Sequence, residues 1–120
     1  MAEKPAKMPM PKVLFGSPLP QQIAKIVGKS WEAMTLPNPD NWSATIYFKA
    51  ANKKKVSESL ACHEMQHVEQ IYEWGGGMYY AIVAASYAFQ GYDKSYIETD
   101  AKARAKAGFT PEQAKWWAAL

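Results

Sequence analysis

The segment Ala61-Cys62-His63-Glu64-Met65-Gln66-His67-Val68-Glu69-Gln70 holds both histidines of the chain. They stand four residues apart, and on a helix that spacing puts two side chains on one face about a turn from each other. No other feature restricts the fold as much. Both imidazoles can reach a single ion, with Glu64 about 100° round the same helix and therefore beside the ion rather than under it. Such a helix needs a second element across from it, because two histidines do not complete a metal site.

The pattern His-Glu-x-x-His has a known chemistry: two neutral imidazoles hold zinc, and the glutamate takes a proton from water activated by the metal. A catalytic zinc generally has three protein ligands and one open position. With no further histidine and with Cys62 as the single cysteine, the third ligand has to be a carboxylate. Glu98 and Asp100 lie on a later predicted helix that can pack against the motif, and two residues along a helix is about 200° of rotation, so only one of them can face the ion. Asp93, in the loop before that helix, stays open. Glu58 and Glu69 face away from the histidine ridge, and Glu73 lies beyond it.

The rest of the chain predicts a mainly α, α+β single domain of four to five helices with a short β element. A length of 120 residues with 48% apolar content supports one core. Five of the eight prolines fall in the first twenty residues, so residues 1–20 read as an extended Pro/Lys-rich arm on a domain spanning 21–120. In the run "PQQIAKIVGKSWEAM", Ile23, Ile26, Val27, Trp31 and Met34 keep helical spacing, and "LPNPDNW" ends it. "SATIYFKA" at 43–50 is the best strand, closed by a solvated turn at Lys53, Lys54 and Lys55. A helix starting at Ser57 or Ser59 carries the motif to "WGGG", where the glycines force a turn. Further helices are predicted from Met78 to Gln90, stopped by Gly91, over 95–108, and from Thr110, whose partner Gln113 completes a capping box.

Charge and composition exclude several classes. The net charge is +3 and Arg104 is the only arginine, so bidentate reading of phosphates or bases is poorly supplied and no nucleic-acid partner is expected. A single cysteine rules out an internal disulfide framework. No apolar stretch after the early lysines resembles a signal peptide, and "MYYAIVAASYAF" at 78–89 is too short to cross a bilayer. The expected location is intracellular or virion-associated, with no membrane partner.

"HEMQH", a helical spacer and then "YIETDAKA" resemble the gluzincins, zinc peptidases whose third ligand is a glutamate opening an E-x-x-A pattern on a second helix. Glu98, Thr99, Asp100 and Ala101 match that pattern. The wider run through "ETDAKARA" is similar to bacterial and phage proteins related to the core domain of extracellular contractile injection systems, and the short length is similar to that of the minigluzincins. The likeness covers roughly residues 44–106. It implies a small zincin-like fold, zinc as cofactor, His63, His67 and Glu98 as ligands, Glu64 as the catalytic base, and a peptide or protein as substrate. It also implies that the strand at 44–50 is the edge that pairs with an extended substrate. Lys102 stands where many relatives carry an aspartate that orients a ligand histidine. The competing expectation is a catalytically silent zincin-fold scaffold whose Pro-rich arm docks into a larger phage or secretion-type assembly.

The remaining residues have smaller expected roles. Cys62 is read as a small buried residue. The tyrosines are packing residues, one of which can donate to an oxyanion beside the metal, with Tyr96 the nearest in sequence to Glu98. Trp116 and Trp117 form a lid on the core. With so little chain to build walls, either terminus is expected to lie over the metal cleft and hold the protein latent.

Overall fold

The computed structural model describes residues 3–22, 31–90 and 95–120. Three short strands form one sheet: β1 (Lys12–Leu14), β2 (Ala33–Pro37) and β3 (Ala44–Phe48). Four α-helices follow among the described residues: α1 (Glu58–Trp74), α2 (Gly76–Gln90), α3 (Tyr96–Ala105) and α4 (Pro111–Ala119). The expected α+β single domain is the fold observed.

The strand order is β1-β3-β2, with β3 in the centre, parallel to β1 and antiparallel to β2. Ala44, Ile46 and Phe48 are wholly buried, as expected of alternate residues whose face is turned to the core. Two expectations change here. Residues 31–34 do not close a helix: Ala33 and Met34 open β2, with Ala33 opposite Phe48 and Pro37 opposite Ala44. The reason is tertiary, since the apolar spacing that suits a helix also supplies a strand when β3 offers backbone partners. Residues 19–22 are helical, and the remainder of the predicted helix, 23–30, lies outside the described residues. The strand at 44–48 is paired on both sides, so it is not the free edge that a substrate would need.

The turn between β2 and β3 is built from its own side chains. The Asp40 carboxylate accepts from the backbone N–H groups of Trp42 and Ser43 and from the Ser43 hydroxyl, and these bonds hold its carboxyl below the usual range. Asn41 takes a positive φ of 77°. Its backbone and side-chain oxygens accept from the N–H groups of Gly76 and Gly77, at 2.7 and 2.9 Å. The hairpin thus caps α2, satisfying N–H groups that its first turn cannot pair internally. Among the three glycines, Gly75 makes the turn with φ +83°, while Gly76 opens α2 so close to Pro37 that an added Cβ would sit 2.8 Å from its side chain.

Helix α1 begins at Ser57, whose hydroxyl accepts from the Leu60 N–H. Ala61, Met65, Val68 and Ile71 repeat along one face and are fully buried, joining Ile46, Phe48, Tyr79 and Ile97 in the core. The N-terminal arm is ordered against the domain: Met8 and Met10 pack on the core, and β1 belongs to the sheet. Trp116 and Trp117 on α4 lie against the same core, as expected of a lid. No helix is long and apolar enough to cross a membrane among the described residues.

Candidate metal centre

His63, His67 and Gln70 occupy one stripe of α1, at positions i, i+4 and i+7, and that stripe faces α3. Helix α3 is capped by Ser95, whose buried hydroxyl accepts from the Glu98 N–H itself, which places Glu98 in the first turn. The Glu98 carboxylate then reaches both imidazoles. Its Oε2 is 3.2 Å from His63 Nε2 and its Oε1 is 3.1 Å from His67 Nε2. Ligand atoms of these three residues lie within 4.8 Å of one another, so the group could hold a metal ion.

Two imidazoles and a carboxylate are a donor set of the kind that divalent metal ions accept. The two imidazole–carboxylate separations, 3.1 and 3.2 Å, are hydrogen-bond contacts made by different oxygens of the one carboxylate. The three residues expected as ligands, His63, His67 and Glu98, are thus brought together in one group. Asp100, the rotational alternative, meets the same stripe further along, at Gln70 rather than at the histidines, and accepts from Gln70 and Arg104. Asp93 lies outside the described residues.

The Glu98 carboxylate is held between the two imidazoles. Burial opposes a positive His67, but its hydrogen bond to Glu98 and the charges of Glu64 and Glu98 push its pKa up to about 9. Burial alone would raise Glu98; the hydrogen bonds from His63 and His67 bring it down to about 2.

Glu64 stands apart from the ligand group. Its Oε1 accepts from the Thr35 hydroxyl at 2.9 Å, which fastens the carboxylate to β2. Burial pushes its carboxyl above the usual value, with His67, His63 and Thr35 offsetting part of the rise. Glu64, His67 and Glu98 form the polar floor of a cavity of about 220 Å³. Trp31, Met34 and Leu36 wall it on one side and Tyr80, Val83 and Tyr87 on the other. Among the described residues, none of the arm or of α4 lines it. The expected cover by a terminus is replaced by walls from β2 and α2.

Two side chains at the site, Thr35 and Gln70, were not foreseen. Thr35 was hidden by the helical reading of its segment. Tyr79 and Tyr87, rather than Tyr96, line the cavity. The Tyr79 hydroxyl is 3.5 Å from His67 Nδ1, and burial raises both phenols, so they remain donors. Tyr96 stacks on Trp74 with ring centroids 6.0 Å apart. Gln70 carried a signal, its place on the histidine stripe, and is bonded to His67 Nδ1. Cys62 is buried and outside the ligand group, with its Sγ accepting from Gln66, and burial raises its thiol. Lys102 is exposed. No protein-family model, curated protein or solved structure matches the chain.

Proposed function

We propose that this chain is a zinc-dependent metallopeptidase of the gluzincin type, in which His63, His67 and Glu98 hold the metal and Glu64 is the catalytic base. The observation that carries the reading is the position of Glu64. It shares α1 with both imidazoles, yet it lines the cavity and lies outside the donor group. A structural site needs no such carboxylate, whereas hydrolysis needs one a water molecule away from the ion. Zinc, when bound, supplies a Lewis acid that polarises a carbonyl and makes water acidic near neutral pH.

The chain's own residues do the rest. Glu64 accepts the water proton and passes it to the leaving amine, and Thr35 keeps the carboxylate aimed at the cavity. A burial-raised carboxyl is a better base than an exposed one, since its pKa lies nearer working pH. Tyr79 or Tyr87, both of which line the cavity, donates to the developing oxyanion. β2 pairs with β3 on one side only among the described residues. Its other edge offers main-chain groups to an extended peptide beside the cavity. The apolar walls favour an aliphatic or aromatic side chain near the cleaved bond.

A silent metal-clamped scaffold is favoured by a different observation. His67 and Glu98 are almost wholly buried, and Arg104 ties α1 to α3 through Glu73 and Asp100. One experiment separates the two. Zinc content and cleavage of unfolded casein are measured for the wild type, Glu64→Gln, Glu98→Ala and His67→Ala. The peptidase reading expects zinc to stay in Glu64→Gln while the rate falls about 10²-fold or more, and zinc to be lost in the other two. Wild-type protein that binds zinc stoichiometrically and cleaves nothing would favour the scaffold.

A further inference from the structure

Gln70 has no exposed surface, and every polar atom of its side chain is engaged. Its amide nitrogen donates to the Ile97 carbonyl at 3.1 Å and to Asp100 Oδ2 at 2.8 Å. An amide has two N–H donors, and both are committed to acceptors on α3. The oxygen must therefore face His67, where Oε1 lies 2.8 Å from Nδ1. An amide oxygen can only accept, so His67 carries a proton on Nδ1, and in its neutral form Nε2 bears the lone pair. Nε2 is the atom directed at Glu98.

Asp100 is held in turn. Its Oδ2 accepts from Arg104 Nε at 2.8 Å. The guanidinium of Arg104 makes paired bonds to the Glu73 carboxylate, at 3.0 and 2.8 Å. Glu73 is on α1, so the chain of contacts leaves the metal helix at Gln70, crosses to α3 and returns.

We infer that Gln70 is a positioning residue of the proposed metal centre, whose carbonyl fixes the tautomer of His67 and whose amide locks the histidine helix to the helix that carries Glu98. The assignment rests on the metal reading above. A neutral amide does this where a carboxylate often would, and it does so without adding a negative charge to a site that already has Glu98 and Glu64.

The test is zinc affinity, measured by competition of full-length protein with a chromogenic chelator, together with the exchangeable imidazole N–H proton of His67 in the proton NMR spectrum of the zinc-loaded protein. Gln70→Leu fills the same space without a polar atom and should bind zinc about 10–100-fold more weakly, with the slowly exchanging Nδ1–H signal lost. Gln70→Glu keeps an oxygen for Nδ1–H and should retain the signal and an affinity between those of the wild type and Gln70→Leu. A packing role predicts the reverse order, because a buried leucine is tolerated better than a buried charge. Affinity in Gln70→Leu equal to or above that of Gln70→Glu overturns the inference. Should Gln70→Leu fail to fold, Asp100→Ala releases the amide while leaving the core intact, and it should weaken zinc about 3–10-fold; unchanged affinity there overturns the inference as well. Wild-type protein that takes up no zinc sinks the metal reading and this one together, whereas zinc bound through His63 and His67 but indifferent to Gln70 sinks this one alone.

Discussion

On the proposed zinc reading, His67 is the residue whose protonation sets what the site can bind. A metal needs its Nε2 lone pair, and in the metal-free protein a proton occupies that atom up to about pH 9. Zinc must displace this proton, so apparent zinc affinity should rise about tenfold per pH unit from pH 6.5 towards 9 and level off above. Isothermal titration in buffers of different ionisation enthalpy would count the released proton, and a flat affinity across that range would contradict the assignment. The metal-free fold has the opposite dependence. Because the folded pKa of His67 is raised from 6.5, its contribution is complete below 6.5 and is lost as pH climbs through about 9. Glu98 is depressed from 4.5 to about 2, so its contribution is complete above 4.5 and is lost as pH falls towards 2. Metal-free protein should therefore be most stable between about pH 4.5 and 6.5, and zinc should move the optimum upward. Thermal melts with and without a chelator read this directly. Thr35 offers a second residue-scale check: Thr35→Val removes the donor that lowers the Glu64 pKa. The acid limb of the pH–rate profile should then shift to higher pH, with zinc content unchanged.

Among the elements, α1 could be read almost whole from the chain. Its cap at Ser57, its apolar repeat and its histidine ridge are all local features, and helices are specified mainly by local sequence. The same holds for the α4 capping box, in which Thr110 and Gln113 bond each other's backbone. Strand β2 could not be read this way, because nothing within Ala33–Pro37 announces a strand. Its pairing depends on β3, reached across the six-residue loop 38–43, and so on backbone partners that only the closed hairpin supplies. Thr35 went unnoticed for the same reason: the importance of its hydroxyl lies in its contact with Glu64, 29 residues away in the chain. The Glu98 position was recoverable in part, since Glu98 and Asp100 are separated by about 200° of rotation and only one of them could meet the histidines; both reach α1, Glu98 at the imidazoles and Asp100 at Gln70, and which does which depends on how α3 docks. Capping gives an element-scale prediction. Ser57→Ala removes the bond to the Leu60 N–H and should cost about 1 kcal/mol, seen as a lower urea midpoint at unchanged slope. Zinc stoichiometry should not change, because His63 lies beyond the first turn.

At the scale of the whole molecule, both ends of the described chain are tied to the body and neither covers the cavity. Lys7 pairs with Glu112 at 2.8 Å, an exposed contact of small worth that nonetheless brings the arm beside α4. Lys4 sits over the Tyr72 ring at 4.6 Å, and the Tyr72 hydroxyl donates to the Pro5 carbonyl. On α4, Trp117 meets Phe48 edge-on at 6.0 Å and lies under Lys53, so the last helix shields the end of the central strand. Removing residues 110–120 should therefore destabilise rather than unmask. Trp117 is only partly buried, so Trp117→Ala should cost less than the 3–5 kcal/mol of a fully buried tryptophan, about 2 kcal/mol. The deletion should cost more and lower the melting temperature by roughly 10 °C or more. Casein cleavage per zinc-loaded molecule should stay level in Trp117→Ala and should not rise in the deletion. A deletion that melts like the wild type and hydrolyses faster would mean that α4 restrains the site after all, and that the packing of Trp117 on Phe48 serves to block access rather than to complete the core.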